Sequence, residues 1–248
     1  MQDLVAGRQW HRLVSGTPDC LARSLSVARS TGTPYCHRRV PVASRHVRVD
    51  WARHGQNVAN LTNTFSHRVY DGDLTELGRQ QADQLGERLA AEDRFYTRLA
   101  TSPLRRAVQT AEIVASYLGI EIAATIDDLR ELNVGELDGR NDHQAWNAYH
   151  AVLRSWRDGD LTARFPGGED CHELVARLRT ALATVTSDAG AGPALVVAHG
   201  ANIRAALPTM TGSPDPGTDL STGSLARLDV TSTSDEVTIA LRDWTVAS

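Results

Sequence analysis

From residue 46 onward, short apolar segments alternate with amphipathic segments whose apolar residues recur every three or four positions. The short segments predict strands over 46–53, 98–101, 120–126, 194–198, 225–230 and 237–244. The amphipathic segments predict helices over 76–91 with Thr75 as N-cap, 103–118 ending at Gly119, 142–157, 168–186, and after residue 200. This alternation indicates an α/β protein, a three-layer α/β/α sandwich with a mostly parallel central sheet.

Residues 1–44 differ in composition from the rest of the chain. They are rich in Arg, Ser, Thr and Gly, poor in acidic residues and without sustained periodicity. An organelle transit peptide has this composition, but so does a loosely ordered extension or upstream sequence included by a wrongly placed start. We favour the last two interpretations. The expected organisation is a poorly ordered extension over 1–44, dispensable for chemistry, followed by one folded domain over 45–248.

The composition excludes several classes of protein. Apolar residues make up 41% and charged residues 23% of the 248 residues, which is ordinary for a globular chain. No apolar run approaches the roughly 20 residues that cross a bilayer, and the net charge of −4 argues against general nucleic-acid binding. Three scattered cysteines suit neither a disulfide framework nor a closed zinc site. We therefore predict a cytoplasmic protein with no membrane partner, no nucleic-acid partner and no metal.

Two predicted strands end in a histidine that is followed by glycine, His54 after the first strand and His199 after the fourth. In parallel α/β sheets, ligands bind beyond the carboxyl ends of the strands. Arg53 precedes the first histidine, and Arg106 lies near a helix start, where free backbone N–H groups favour anions. A phosphomonoester is an anion whose oxygens need such fixed cations and N–H donors. This edge of the sheet is therefore the predicted site.

Six motifs in a fixed order make the pattern more specific than either histidine-glycine pair. They are RHGQNVAN at 53–60, DLTELGRQQA at 73–82, SPLRRAVQTA at 102–111, LRELNVGELDG at 129–139, PGGED at 166–170 and AHGANIR at 198–204. With these motifs the chain resembles the histidine phosphatase superfamily, the group that includes cofactor-dependent phosphoglycerate mutases. The resemblance implies that residues 45–248 are its catalytic domain.

The resemblance also implies a role for each matching residue. His54 attacks phosphorus and becomes a phosphohistidine, and the two nearby guanidinium groups should lower its pKa and keep it neutral. The predicted ligands of the phosphoryl oxygens are Arg53, Asn60, Arg106, His199 and Gly200. Glu131 protonates the leaving oxygen and later activates water. Arg105, at a variable position of the motif, should face solvent. No cofactor is implied.

These assignments have structural alternatives. Either histidine could be a core residue satisfied by backbone, and Glu131 has nearby acidic competitors: Asp127, Asp128, Glu136 and Asp138. Asn57 stands where the family usually has Ser or Thr, which should change rate or specificity. Asp50, in a predicted buried strand, has no explanation from the sequence.

The predicted helix over 142–157 carries both aromatic and basic residues. We interpret Trp146, Tyr149 and Trp156, which recur at helical spacing, as packing residues and not as a substrate cage. We interpret Arg154 and Arg157 as a solvated face and not as phosphate ligands.

The predicted reaction is hydrolysis of a small phosphorylated metabolite. The family's mutases have a long insertion with basic residues for the substrate carboxylate, whereas only 26 residues, 140–165, separate the fourth and fifth motifs here. A mutase is the second hypothesis. The third is a family member that binds phosphorylated ligands or protein partners without turnover. The sequence assigns no oligomeric state.

Overall fold

The computed structural model describes residues 44–68, 70–92, 94–188, 192–212, 221–233 and 236–245. The predicted extension over 1–44 lies outside these residues, apart from Ser44. In the described ranges no helix is both long enough and apolar enough to cross a membrane.

The strands of the described chain form one six-stranded sheet with the order β3-β2-β4-β1-β5-β6. They are β1 Arg45–Arg53, β2 Arg98–Thr101, β3 Ile122–Thr125, β4 Ala194–Ala198, β5 Leu225–Ser232 and β6 Val237–Thr245. Strands β3, β2, β4 and β1 are parallel, while β5 and β6 form an antiparallel extension of the sheet. The predicted α/β fold with a mostly parallel sheet is confirmed.

Helices cover both faces of this sheet. They are α1 Val58–Thr62, α2 Glu76–Ala91, α3 Arg105–Leu118, α4 His143–Arg157, α5 Cys171–Asp188 and α6 Gly200–Thr211. Because neighbouring residues of a strand point to opposite faces, β4 contributes to two cores. Leu195 and Val197 pack with residues of α2 and α3, whereas Ala194, Val196 and Ala198 pack with residues of α5 and α6.

Two helices begin two or more residues later than predicted, and α4 begins one residue later, at His143. Helix α3 begins at Arg105, because the backbone is still extended at Leu104, with φ −70° and ψ 134°. The Oγ of Ser102 is hydrogen bonded to His199, 2.8 Å away. Helix α5 begins at Cys171, because the glycines after Pro166 form a turn in which Gly167 has a φ of 67°.

The structure explains the buried Asp50. Its carboxylate accepts hydrogen bonds from the Tyr96 hydroxyl at 2.6 Å and from Arg94 at 3.1 Å, and Arg227 lies 3.7 Å away. A buried carboxylate is tolerated when it is paired and hydrogen bonded in this way. Asp50 therefore joins β1 to the segment before β2 and to β5, and is absent from the pocket lining described below.

Candidate active site

His54 follows β1 directly, and its ring is fixed at both nitrogens. Its backbone N–H donates to the carbonyl of Ala198 at 3.0 Å, which ties the end of β1 to the end of β4. The ring Nδ1 lies 2.6 Å from the carbonyl of Gly55, and Nε2 lies 3.0 Å from the Nε of Arg106. A carbonyl can only accept and a guanidinium can only donate. The proton of the neutral ring is therefore on Nδ1, and Nε2 carries the lone pair.

The surroundings of His54 favour this neutral form. Burial lowers its pKa well below the usual value, and the positive charges of Arg106 and Arg53 lower it further, while the hydrogen bond to Gly55 works in the opposite direction. The predicted direction of the pKa shift is the one that the structure gives. The largest cause, however, is burial, which the sequence analysis did not consider.

His199 follows β4 and lies beside His54, with the two ring centroids 5.1 Å apart. Its Nε2 is hydrogen bonded to Ser102, and its Nδ1 has no hydrogen-bond partner among the described residues. The side chain is completely buried and is absent from the pocket lining. Burial lowers its pKa well below the usual value, with Arg106 as the next cause. The predicted contact of His199 with phosphate therefore stays a prediction.

Arg53 is the last residue of β1, and its side chain lies against the first residue of α6, Gly200. A Cβ added to Gly200 would lie 2.7 Å from the Cδ and 3.0 Å from the Nε of Arg53. Glycine therefore leaves room for the Arg53 side chain in its present position, and both residues line the pocket.

Arg106, in the first turn of α3, is almost completely buried. Besides its bond to His54, it donates to the Oγ of Ser66 at 3.1 Å and to the carbonyl of Ser66 at 2.8 Å. Asp71 lies 3.8 Å from its NH1. The neighbouring Arg105 points to solvent, as predicted, and pairs with Asp73.

Glu131 lines the same pocket from the loop between β3 and α4. Its Oε1 accepts hydrogen bonds from the backbone N–H of Leu132 at 2.9 Å and of Asn202 at 2.8 Å. None of the acidic competitors that the sequence raised, at 127, 128, 136 and 138, lines the pocket. Of these five carboxylates, Glu131 is the one that lines the pocket.

Asn57 and Asn60 cap helix α1 reciprocally. The side chain of Asn57 accepts from the N–H of Asn60 at 3.2 Å, and the side chain of Asn60 accepts from the N–H of Asn57 at 3.1 Å. Asn57 thus performs the capping role that Ser or Thr usually has in such a box. Both residues also line the pocket, as the prediction for Asn60 requires.

The pocket above these residues has a volume of about 600 Å³. Its lining includes Trp146, Tyr149 and Trp156 of α4 together with residues of α6. The aromatic residues do pack, since Tyr149 and Trp156 both contact Phe165, but they also line the pocket. The interpretation of these residues as packing alone was incomplete.

Two arginines of the pocket were missed by the sequence analysis. Arg157 lines the pocket and is not merely part of a solvated face, whereas Arg154, also exposed, does not line it. Arg204 lines it as well. Arg204 is four residues after Gly200 and so lies on the same face of α6, a signal that the sequence contains. No comparable signal distinguishes Arg157 from Arg154.

Comparison with known proteins identifies the family. The model of the histidine phosphatase superfamily (branch 1) matches residues 51–242, and the chain belongs to this superfamily. The resemblance seen in the sequence motifs is thereby confirmed.

Relatives carry both mutase and phosphatase names. The probable phosphoglycerate mutase GpmB of Erwinia tasmaniensis is 34% identical over 166 residues, which cover 65% of this chain and 74% of the relative. The protein of the same name from Salmonella choleraesuis is 34% identical over 163 residues, with the same coverage. A solved mycobacterial glucosyl-3-phosphoglycerate phosphatase is 26% identical with a TM-score of 0.65, covering 82% of this chain and 100% of that one.

Proposed function

We propose that the protein is a phosphomonoesterase that transfers the phosphoryl group of a small metabolite to Nε2 of His54 and then to water. The observation that carries this proposal is the hydrogen bonding of the His54 ring. Gly55 accepts from Nδ1, so the lone pair of Nε2 points toward Arg106 and the pocket. A neutral, oriented imidazole beside fixed cations is what a nucleophile for phosphorus requires.

In the first step the phosphoryl group replaces His54 as the partner of the Arg106 guanidinium, and Arg53 binds the same group. Nε2 of His54 attacks phosphorus while the bond from phosphorus to the ester oxygen breaks. Glu131, in its protonated form, donates its proton to that leaving oxygen. Both hydrogen bonds of the Glu131 carboxyl go to Oε1, so Oε2 is the oxygen assigned to carry the proton.

In the second step a water molecule attacks phosphorus and the bond from phosphorus to Nε2 breaks. Glu131, now a carboxylate, takes a proton from this water and returns to its starting state. His54 regains the neutral form with its proton on Nδ1. The fixed donors serve both steps, and one such donor contributes roughly 10²–10³ in rate.

A mutase is the second candidate, and the names of the curated relatives favour it. A mutase must retain its dephosphorylated intermediate and return the phosphate to it. Only a single helix, α4, and its short flanking loops separate the fourth and fifth motifs here. So short a segment between these motifs supports release of the dephosphorylated product and net hydrolysis.

The experiment is a panel of phosphomonoesters, with p-nitrophenyl phosphate, sugar phosphates and both phosphoglycerates, assayed with and without 2,3-bisphosphoglycerate. We expect release of inorganic phosphate without this primer. Interconversion of the phosphoglycerates that requires the primer would identify a mutase instead. Binding of phosphorylated ligands with no turnover by the wild-type protein would identify the non-catalytic alternative.

The intermediate is tested separately by quenching the reaction in alkali with a ³²P-labelled substrate. Phosphohistidine is stable in alkali and labile in acid, so the label should stay on the wild-type protein and disappear after acid treatment. His54→Ala should show no label and no turnover. Turnover that persists in His54→Ala would refute the proposed nucleophile.

A further inference from the structure

The loop that carries Glu131 is held from outside the pocket by residues of α5 and α6 and by His67. The backbone carbonyls of four consecutive residues, 128–131, all accept side-chain hydrogen bonds. Their donors are Arg177, Asn202 and His67. None of these donors lines the pocket.

Arg177, on α5, makes the largest number of these bonds. Its NH1 donates to the carbonyls of Asp128 at 2.7 Å and Arg130 at 2.8 Å, and its NH2 donates to the carbonyl of Glu131 at 3.3 Å. The remaining N–H groups pair with Glu169, from Nε at 2.8 Å and from NH2 at 2.7 Å. A guanidinium has five N–H donors, and all five are used.

Glu169 completes the connection. Its Oε1 also accepts the backbone N–H of Asn133 at 2.7 Å, so the ion pair holds the loop on both sides of Glu131. Asn202 contributes from α6, with its side chain on the carbonyls of Leu129 and Arg130 and its backbone N–H on the Glu131 carboxyl. The loop is thus held by α5 and α6, and the Glu131 carboxyl group is held by α6.

We infer that Arg177 is a positioning residue, which acts through Glu131 by holding residues 128–131 so that the carboxyl group faces the leaving oxygen. The inference rests on the proposed function, because Glu131 matters only if a leaving group is protonated. Arg177 is paired and mostly buried, with 18% of its side chain exposed. If Arg177 only stabilised the fold through its ion pair with Glu169, its guanidinium would not need to donate three of its five hydrogen bonds to the Glu131 loop.

The test uses the fact that leaving groups differ in their need for an acid. The p-nitrophenolate ion leaves without much protonation, whereas benzyl alcohol leaves poorly unless its oxygen is protonated. We expect Arg177→Gln to lower kcat/KM for benzyl phosphate about tenfold more than for p-nitrophenyl phosphate, a part of the roughly 10²–10⁴ that a general acid contributes. Equal losses for the two substrates would mean that Arg177 is merely structural and would overturn the inference.

Arg179 provides a matched control on the same helix. It also donates to backbone carbonyls, those of Val237 and Met210, but away from the Glu131 loop. Arg179→Gln should leave the ratio of the two kcat/KM values unchanged. A change in this ratio as large as that of Arg177→Gln would attribute the effect to α5 in general and overturn the inference. If Arg177→Gln does not fold, Arg177→Lys retains a charge for Glu169 but lacks the planar fork, and should shift the ratio in the same direction.

Glu131→Gln distinguishes the inference from the proposed function. By itself it should shift the ratio strongly toward p-nitrophenyl phosphate, and Arg177→Gln should add no further shift in that background. If Glu131→Gln leaves the ratio unchanged, the proposed role of Glu131 fails. If Glu131→Gln shifts the ratio but Arg177→Gln does not, the proposed function stands and the inference about Arg177 fails.

Discussion

Substitution of Gly200 by alanine should reduce catalysis without reducing stability. The new Cβ would lie 2.7 Å from the Cδ of Arg53, whereas carbon atoms in contact are about 3.5–4.0 Å apart. The Arg53 side chain must therefore move by about 1 Å, and it is flexible enough to do so. At an effective dielectric of about 20, a guanidinium attracts a phosphoryl oxygen by roughly 4 kcal/mol at 4 Å and roughly 3 kcal/mol at 5 Å.

Moving the guanidinium away by about 1 Å therefore weakens its attraction for the phosphoryl group by close to 1 kcal/mol, which lowers kcat/KM about fourfold to fivefold. If the displacement also breaks a hydrogen bond to the phosphoryl group, the loss rises to about 10²–10³. Alanine is favoured over glycine in helices by up to about 1 kcal/mol, so the unfolding midpoint should stay the same or rise. The assay is kcat/KM for p-nitrophenyl phosphate, together with urea unfolding of the same preparation.

A double-mutant cycle with Arg53→Gln tests the reasoning directly. Once the guanidinium is absent, Gly200→Ala should have little additional effect on kcat/KM, because both changes act on one contact. Fully additive losses would show that the added methyl group acts elsewhere. If Gly200→Ala lowered both kcat/KM and the urea unfolding midpoint, the loss of activity could come from unfolding, and the proposed displacement of Arg53 would be refuted.

Three further predictions concern pH, substrate charge and the buried carboxylate. The pKa of His54 is lowered in the folded protein, so below about pH 6.5 the unfolded chain binds a proton that the native protein does not. The free energy of unfolding should therefore decrease by up to about 1.4 kcal/mol as the pH is lowered from 7.5 to 5.5. Urea unfolding of wild type and His54→Gln measures the difference. Arg157→Gln should lower the preference for 4-carboxyphenyl phosphate over its neutral 4-carbamoyl analogue by up to about fivefold, the strength of an exposed ion pair, whereas Arg154→Gln should not. Asp50→Asn should cost about 1–3 kcal/mol of unfolding free energy, since Tyr96 and two arginines lose a charged partner, while kcat/KM of the folded protein stays within about twofold.

Each of these predictions has an outcome that contradicts it. Equal pH dependence of wild type and His54→Gln would mean that His54 is protonated in the native state. An equal effect of both arginine substitutions would indicate a general surface charge and not a pocket residue. Stability that does not change in Asp50→Asn would mean that the network contributes nothing net.

The sequence predicts the sheet well because strand periodicity and helix caps are local properties. The ends of β2 and β4 are predicted to the residue, and Thr75 caps α2 as expected. Helix α1 has only five residues, too few for a helical period to be visible, and only its capping residue Asn57 gives a sign of it.

Three residues of the site, His54, Arg53 and Arg106, were also predictable, because they lie in motifs at strand ends and helix starts. The pocket residues of α4 were not. Which face of α4 meets the pocket depends on how the helix docks against Phe65, which lies far from it in the sequence. The bonds of Arg177 to the Glu131 loop likewise depend on tertiary contacts that have no local pattern.

The pairing of β1 with β4, in which Arg53 lies opposite Ala198, has a consequence for how the protein reaches its active state. The two histidines are 145 positions apart in the chain and become neighbours only when this pair of strands closes. Contacts over such long separations form late and slowly, because a large loop must be ordered first. During refolding, phosphate release should therefore reappear with the slowest phase, after most of the helical signal has returned.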